Sequence, residues 1–442
     1  MKRTRRAALI TAIAFPVTFM LIAAVPIAAE ELTLQEALRQ VRNENPTIRS
    51  TQEQIRATEE GVREARSALL PNLAARGEYT IYGEETLVAP MSEPPTPQSD
   101  PLTFDDRIYS GALRLDVPIL DLSALSLIGA ARHEIEYSRS RSAEVDQAIL
   151  ASVADLFVRY LRLEDNRELL EAHLGVLERR REDLAILETA GRVSPAAKAE
   201  VDAAIASLLA ERMEIEQGRR EIAWNLGTLL GKNHPVTPIV TGLGTDVDVT
   251  VNRDDSAGPA LEAARARLAN AETRHEAVQR SFFPQVNGFV TQTARSGSDL
   301  DFFTDWSAGV SVTIPLYTGG ERTARLAATD AAQKSAWYSY EAARNEHFTS
   351  LRIQEERMET LRQRQALIRR AVDSRQVSLD AIKRQYEEGR ASAGDLLAEE
   401  TALLELQVQE QTLQQDRLTA YIVYHRQLGT LSVSTIEALL EE

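Results

Sequence analysis

The side chains able to do covalent or redox chemistry are few and badly spaced for it. The 442 residues include no cysteine and six scattered histidines, which removes thiolate nucleophiles, disulfides, thiolate metal sites and a lipid-anchoring cysteine. His133-Glu134 and His275-Glu276 each lack the second histidine of a zinc-binding helix. Gly242-Leu243-Gly244 has Val247 where a third phosphate-loop glycine belongs, and no strand-to-helix context. No nucleophile elbow and no methionine cluster occurs. We therefore read the chain as a non-enzyme, with no cofactor and no resident metal. The polar residues do form a repeated punctuation: Gly191-Arg192-Val193-Ser194-Pro195 and Gly389-Arg390-Ala391-Ser392-Ala393, the second followed by Asp395. A carboxylate so close behind a helix-ending glycine can favour the start of the next helix. Gathered with symmetric copies of itself, it can also form a negative constriction that draws in cations.

The elements that must position these turns are long helical runs. One extends from about Ser123 to Ala190, the other from about Glu321 to Glu388. In the first, Val153, Leu156, Tyr160, Leu163, Leu170, Leu174, Leu177 and Leu184 fall at heptad spacing, interrupted by Arg167 and Arg181. In the second, Leu351, Met358, Leu361, Ile368, Val372 and Ile382 take the equivalent places. A run of about 68 residues at a rise of ~1.5 Å is roughly 100 Å long, which suits a coiled coil rather than a globular helix. Each run ends at its Gly-Arg turn, and a returning helix follows, over about Pro195 to Leu230 and Ser392 to Leu428.

Two shorter helices complete the helical set. One runs from about Thr47 to Leu70, after a helix opened by the capping box Thr33-Leu34-Gln35-Glu36 and interrupted at Pro46. The other runs from about Gly258 to Phe283. Each short helix added to a returning helix nearly matches a long run, which predicts stacking end to end beside it. Ahead of each long run the period changes from 3.6 to 2. Strands are predicted over 72–82, 109–119, 285–294 and 306–316, with a proline-rich loop from Gly83 to Arg107 and a second from Ser296 to Asp305. Pro118 corresponds to Pro315 and Gly191 to Gly389, an offset of 197 to 198 residues, so the chain is two halves of one architecture.

Strands of about ten residues can cross a bilayer when tilted. Tyr79, Tyr82, Tyr109 and Trp306 stand at their loop-proximal ends, as an aromatic girdle would. Leu115 and Val312 are expected to face lipid. Arg76, Glu78, Arg114, Asp116 and Ser311 are expected to face a lumen. One chain supplies four strands and a barrel needs about eight or more, so several chains must contribute.

Residues 1–29 read as a signal peptide: Lys2 to Arg6 make the charged start, Ala7 to Val25 the apolar run, and Ile27-Ala28-Ala29 the cleavage site. Removing its four basic residues takes the net charge from −16 to about −20, which argues against nucleic acid as a partner. The organisation expected is 30–230 as the first repeat, 231–256 as a linker at mid-length of the rods, 257–431 as the second repeat and 432–442 as a tail. The fold class is mainly α with a small membrane β part. A second reading from another class is a surface structural or adhesive protein, a coiled-coil stalk on a small barrel. Tight tips with returning helices are what a parallel stalk does not need.

With these features assembled, the chain resembles the TolC-type outer-membrane efflux channels over about Leu32 to Leu431. The resemblance is carried by the duplicated strand–helix pattern and by Ile314-Pro315-Leu316-Tyr317-Thr318-Gly319-Gly320 entering a long helix. It is carried also by Tyr386-Glu387-Glu388-Gly389-Arg390-Ala391-Ser392-Ala393-Gly394-Asp395-Leu396-Leu397-Ala398, and by Leu226-Gly227-Thr228-Leu229-Leu230 and Leu428-Gly429-Thr430-Leu431. It implies a homotrimer in the outer membrane of a Gram-negative bacterium, with a 12-stranded barrel in lipid above a periplasmic tunnel of helices. It also implies a periplasmic adaptor, docking at tips marked by Gly191, Arg192, Gly389 and Arg390, and an inner-membrane pump. It makes Asp395, Arg390 and Tyr386 the candidates for the entrance. The family's second tip aspartate is replaced by Ala398, its tip arginine by Ala391, and the first-half equivalent of Asp395 by Ala197. The first half is thus expected to supply no second acidic position.

Overall fold

The computed structural model describes residues 30–88, 103–189, 194–240 and 257–440, and the side chains of these except 437–440. The expected signal peptide, the proline-rich centre of the first loop, Gly191 with Arg192, and Gly242 with Gly244 lie outside the described residues.

Strand β1 (Glu30–Thr33) leads into α1 (Leu34–Glu44). The capping box forms as its sequence requires: the Glu36 N–H donates to Thr33 Oγ1 at 3.3 Å, and Thr33 N–H donates to Glu36 Oε2 at 3.0 Å. Asn45 then turns the chain. Its Oδ1 accepts from the N–H groups of Thr47 and Ile48 at 2.8 and 3.1 Å, and Pro46 opens α2 (Pro46–Ser67) at a position where a missing N–H is harmless. Strands β2 (Asn72–Leu87) and β3 (Phe104–Leu120) follow, then α3 (Leu122–Thr189) and α4 (Pro195–Leu229). The second half repeats this with α5 (Pro259–Arg280), β5 (Gln285–Ser296), β6 (Phe303–Thr313), α6 (Glu321–Glu387) and α7 (Ala393–Leu428).

The four long strands form one antiparallel sheet in the order β2-β3-β5-β6, with β2 and β6 as free edges. The helices line up in a matching order. Along α3, α2 packs on the upper part, through Arg139–Glu59 at 2.9 Å, and α4 on the lower part, through Arg219–Tyr160 at 2.9 Å. On its other side lie α5, through Asn270 to the Ala130 carbonyl at 2.7 Å, and below it α7, through Gln415–Asp165 at 3.0 Å. Helix α6 is outermost, beyond α5 and α7, and Arg369 reaches Glu410 at 3.1 Å. The end-to-end stacking of short helices beside each long one is the observed arrangement. The long helices run out and return as antiparallel hairpins, so the parallel-stalk alternative loses its ground.

The apolar heptads bury within each hairpin. Leu170, Leu174, Leu177 and Leu184 of α3 pack on Val201, Ile205 and Ile215 of α4. Leu361 of α6 packs on Leu413 of α7. The largest core lies at the equator, where Leu34, Leu38 and Val41 of α1 meet Leu150, Val153, Ala154 and Phe157 of α3, with Leu418 and Ile422 of α7.

At five points the structure departs from these expectations or adds to them. The first loop is shorter than Gly83 to Arg107, because all five prolines fall within 89–102; the proline-free flanks stay paired, Thr86 with Asp105 and Leu87 with Phe104. Tyr79 and Tyr109 therefore sit opposite each other, ring centroids 4.8 Å apart, inside the strands rather than at their ends. β6 stops at Thr313, not at 316. Gln285, just after Pro284, is the last partner on β5, and Pro315 has no N–H to extend the ladder. The linker contains β4 (Val236–Ile239), which pairs in parallel with β1. The tail contains α8 (Val433–Leu440), whose Ile436 is fully buried in the equatorial core. Gln147 clamps the approach to α8, donating to the Leu431 carbonyl and accepting from its N–H, both at 2.9 Å.

Candidate functional site

The second tip is built by backbone geometry. α6 ends at Glu387 with Glu388 as its C-cap, Gly389 takes φ 72°, and Arg390 N–H donates to the Gln385 carbonyl at 2.7 Å while Gly389 N–H donates to the Tyr386 carbonyl at 2.9 Å. A side chain at 389 would oppose that left-handed turn. Tyr386 thus serves the turn through its carbonyl, and its side chain is half-buried. Arg390 pairs with Glu388 of its own tip.

Asp395 closes a capping box with Ser392. Its Oδ2 accepts from the Ser392 N–H at 2.9 Å and the Ser392 hydroxyl at 2.7 Å, while Asp395 N–H donates to Ser392 Oγ at 3.1 Å. The Ser392 hydroxyl first, then its backbone N–H, hold the carboxyl below its usual 3.8, so it stays ionised at neutral pH. Only one carboxylate oxygen is used in this cap, and the residue is exposed, so capping leaves an accessible charge at the second tip.

The first hairpin does supply an acid at this level, contrary to the sequence expectation. Glu200 of α4 approaches the second tip, and a Cβ added at Gly394 would lie 3.4 Å from Glu200 Oε2. Sequence comparison of the two halves missed it because Glu200 lies one turn beyond Ala197. The signal was the glycine at 394, which clears room for a neighbour.

Between the hairpins the α3–α7 seam is polar. Arg180 clasps Glu400 with two hydrogen bonds of 2.7 and 2.6 Å, the side chains only 11% and 13% exposed. His173 lies near both; burial lowers its pKa, with Glu400 opposing and Arg180 adding to that shift. Asp165, half-buried, is pushed above its ordinary value by burial, against the hydrogen bond from Gln415. None of these four looked different from a solvated helix residue in sequence.

In the sheet, register places Arg76, Glu78, Arg114, Asp116 and Ser311 on one face and Leu115 and Val312 on the other. Arg114 pairs with Asp116 at 2.9 Å and Arg76 with Glu78 at 3.4 Å. The polar face also holds Arg295, opposite Ser110, and Asp305, opposite Thr293. Phe289 shares that face too: it sits opposite Asp116 and Gly309, with the Arg114 guanidinium 5.1 Å from its ring centre. These three were missed. An aromatic at a polar-face position breaks the alternation that identified the rest.

No group of acidic, histidine or cysteine side chains suited to a metal ion occurs among the described residues, and no described helix is long and apolar enough to cross a membrane. A duplicated unit of long strands on hairpin rods, its sheet open at both edges, has the architecture of one subunit of a larger closed sheet. The comparisons carry this further. A family model described as outer membrane efflux protein matches residues 37–231 and 256–430, and the chain belongs to that family. It is 22% identical over 428 residues to nodulation protein T of Rhizobium leguminosarum bv. trifolii, covering 90% of this chain and 85% of that one. It is 19% identical to the outer membrane protein TolC of Vibrio cholerae over 413 residues, covering 90% and 91%. Its fold matches the crystal structure of the outer membrane protein VceC from Vibrio cholerae with a TM-score of 0.75 at 19% identity, covering 90% and 96%. As a member of this family the chain is an outer-membrane channel protein rather than an enzyme.

Proposed function

We propose that three copies close into a conduit that exports small molecules or proteins from the periplasm to the outside. The observation that carries this is the pair of free edges, β2 and β6, on a sheet with one apolar and one polar face. Unpaired edges are not tolerated in lipid, and four strands are too few to close a barrel; three chains give twelve. The outer faces of α4 and α6 stand at the two corresponding edges of the helical layer, so one operation closes both. Arg76, Glu78, Arg114 and Asp116 then line the barrel lumen. The tips at Gly191, Arg192, Gly389 and Arg390 are the docking points for a periplasmic adaptor that couples the channel to an inner-membrane pump.

Asp395 forms a ring of three charges at the periplasmic entrance, beside Arg390 and Tyr386, and favours cations there. The test is ion conductance of the purified protein in a planar bilayer, with Asp395→Ala compared against Glu64→Ala on α2. Cation preference falls in the first and is unchanged in the second. Absence of conductance, or a stable monomer by mass in mild detergent, refutes the conduit; equal selectivity in both variants refutes the ring.

A further inference from the structure

Above the equator a groove of about 830 Å³ runs along α5, with α3 on one side and α6 on the other. Small side chains make the room. Ala260, Ala264 and Ala271 of α5 and Ala332, Ser335 and Ala336 of α6 line it. Its charged residues are Arg141 and Glu144 of α3 and Arg267 and Arg274 of α5. Glu144 takes Arg141 at 2.6 Å. Arg267 and Arg274 are exposed and have no carboxylate partner among the described residues. The Arg267 guanidinium lies over the Tyr137 ring instead, 5.7 Å from its centre. Glu134 of α3 accepts from the Asn270 amide at 3.2 Å and does not line the groove. Two uncompensated cations thus share one groove in a chain whose net charge is −16. Their spacing of seven residues on α5 sets them ~10 Å apart along the helix.

The groove opens on the side of the layer away from α1. That helix packs on Leu150, Val153 and Phe157 of α3, and its Arg42 reaches Asp146 at 3.1 Å. At ~3.6 residues per turn, those positions lie about half a turn round α3 from Tyr137, Arg141 and Glu144. In the three-copy conduit proposed above, α2, α3, α5 and α6 of each copy form a ring at this height. At ~9 Å between neighbouring axes, and less ~10 Å of helix thickness, that ring leaves a bore of about 25 Å. Three sets of α1, α8 and the β1–β4 pair would fill such a bore. They therefore lie outside, and the groove faces in.

We propose that this groove binds small aromatic anions, a flat ring system bearing a carboxylate, sulfonate or phosphate, on the wall of the bore. The ring lies against the Tyr137–Arg267 stack, and Arg274 takes the anionic group with its two-pronged guanidinium. A two-ring anion spans the distance between them, and the groove has the volume of a small-molecule site. The groove belongs to one chain, and only its place in the bore rests on the conduit reading.

The test uses the full chain in mild detergent, titrated with naphthalene-2-sulfonate by calorimetry, and the same compound added to the conducting protein in a planar bilayer. Saturable binding of one molecule per chain is expected. Arg274→Gln weakens it at least tenfold, since a charge-assisted contact is lost. Ser335→Trp fills the groove without touching a charge and abolishes binding. Arg56→Gln on α2 keeps the parental affinity. Inorganic sulfate, which has no ring for Tyr137, binds at least tenfold more weakly. Thermal melts confirm that each variant is folded, and Arg274→Gln decides the matter if Ser335→Trp is not. In the bilayer the sulfonate blocks the parental current, and Arg274→Gln relieves the block. No saturable binding by the parent, equal binding of sulfate, or equal loss in Arg56→Gln overturns the groove and leaves the conduit standing. Binding without block overturns its place in the bore. A protein that binds the sulfonate but does not conduct refutes the conduit and leaves the groove.

Discussion

Arg180→Met removes one partner of the buried clasp between the two hairpins and leaves Glu400 without its cation. Both side chains are nearly nine-tenths inaccessible, so water screens little of the loss. Breaking a buried, doubly hydrogen-bonded pair from one side costs about 3–5 kcal/mol. Glu400 lies eleven residues beyond Gly389, so the cost falls on local opening of the tip rather than on the equatorial core. At ~1.4 kcal/mol per tenfold, a cost of about 3 kcal/mol accelerates opening-limited hydrogen exchange of amides in 396–404 by roughly a hundredfold. Exchange at 147–157, in the equatorial core, stays at the parental rate. Arg180→Met with Glu400→Leu removes the stranded charge, and exchange returns to near the parental rate. A single variant that exchanges like the parent refutes the reasoning. So does a double variant as fast as the single, since the seam would then depend on shape and not on pairing.

Four further outcomes are expected. Cysteines at Arg114 and Ser311 react with a water-soluble thiol reagent while those at Leu115 and Val312 do not; the reverse pattern means a register slip of one residue. Ser392→Ala removes the first cause of the lowered Asp395 pKa, so the acid midpoint of cation selectivity moves up relative to the parent in bilayer titrations. Asp165 has a raised folded pKa, so its contribution favours folding below the unfolded value and is lost as pH rises through the folded one; Asp165→Asn flattens that interval in thermal melts and raises the melting temperature at neutral pH. Gly258→Ala would set a Cβ 1.9 Å from the Gln427 carbonyl, and lowers stability by about 1–3 kcal/mol in denaturant unfolding.

Features set by neighbours along the chain are legible in the amino-acid sequence alone. The heptads, the Thr33–Glu36 box, the Pro46 break and the Gly389 turn are all local, and proline, glycine and capping residues mark them directly. The sheet faces are legible because period 2 assigns a whole strand at once. What escapes depends on chain segments far apart. β1 and β4 are four-residue strands, too short to show a period, and they exist only through each other. Arg180 and Glu400 look like solvated charges until α3 meets α7. Glu200 comes to the second tip only because Gly394 on another hairpin gives it room. Asp395 is legible in both its candidate roles, and the structure shows that the cap leaves the accessible charge intact.

The equatorial core has a consequence for how the protein is made. Leu34 and Ile436, about four hundred residues apart, belong to one buried cluster, joined by Leu230 and Val236 from mid-chain. Contacts of such sequence separation close slowly. During export the first helix reaches the periplasm long before its partners, with Leu34, Leu38 and Val41 uncovered. The hairpins, whose contacts are local, can zip as they emerge, but the waist is complete only once Ile436 arrives. A prematurely terminated chain therefore has sound rods and a hollow centre, which is what a periplasmic protease or holdase can recognise. The last residues of the chain are thus what seals the middle of the molecule.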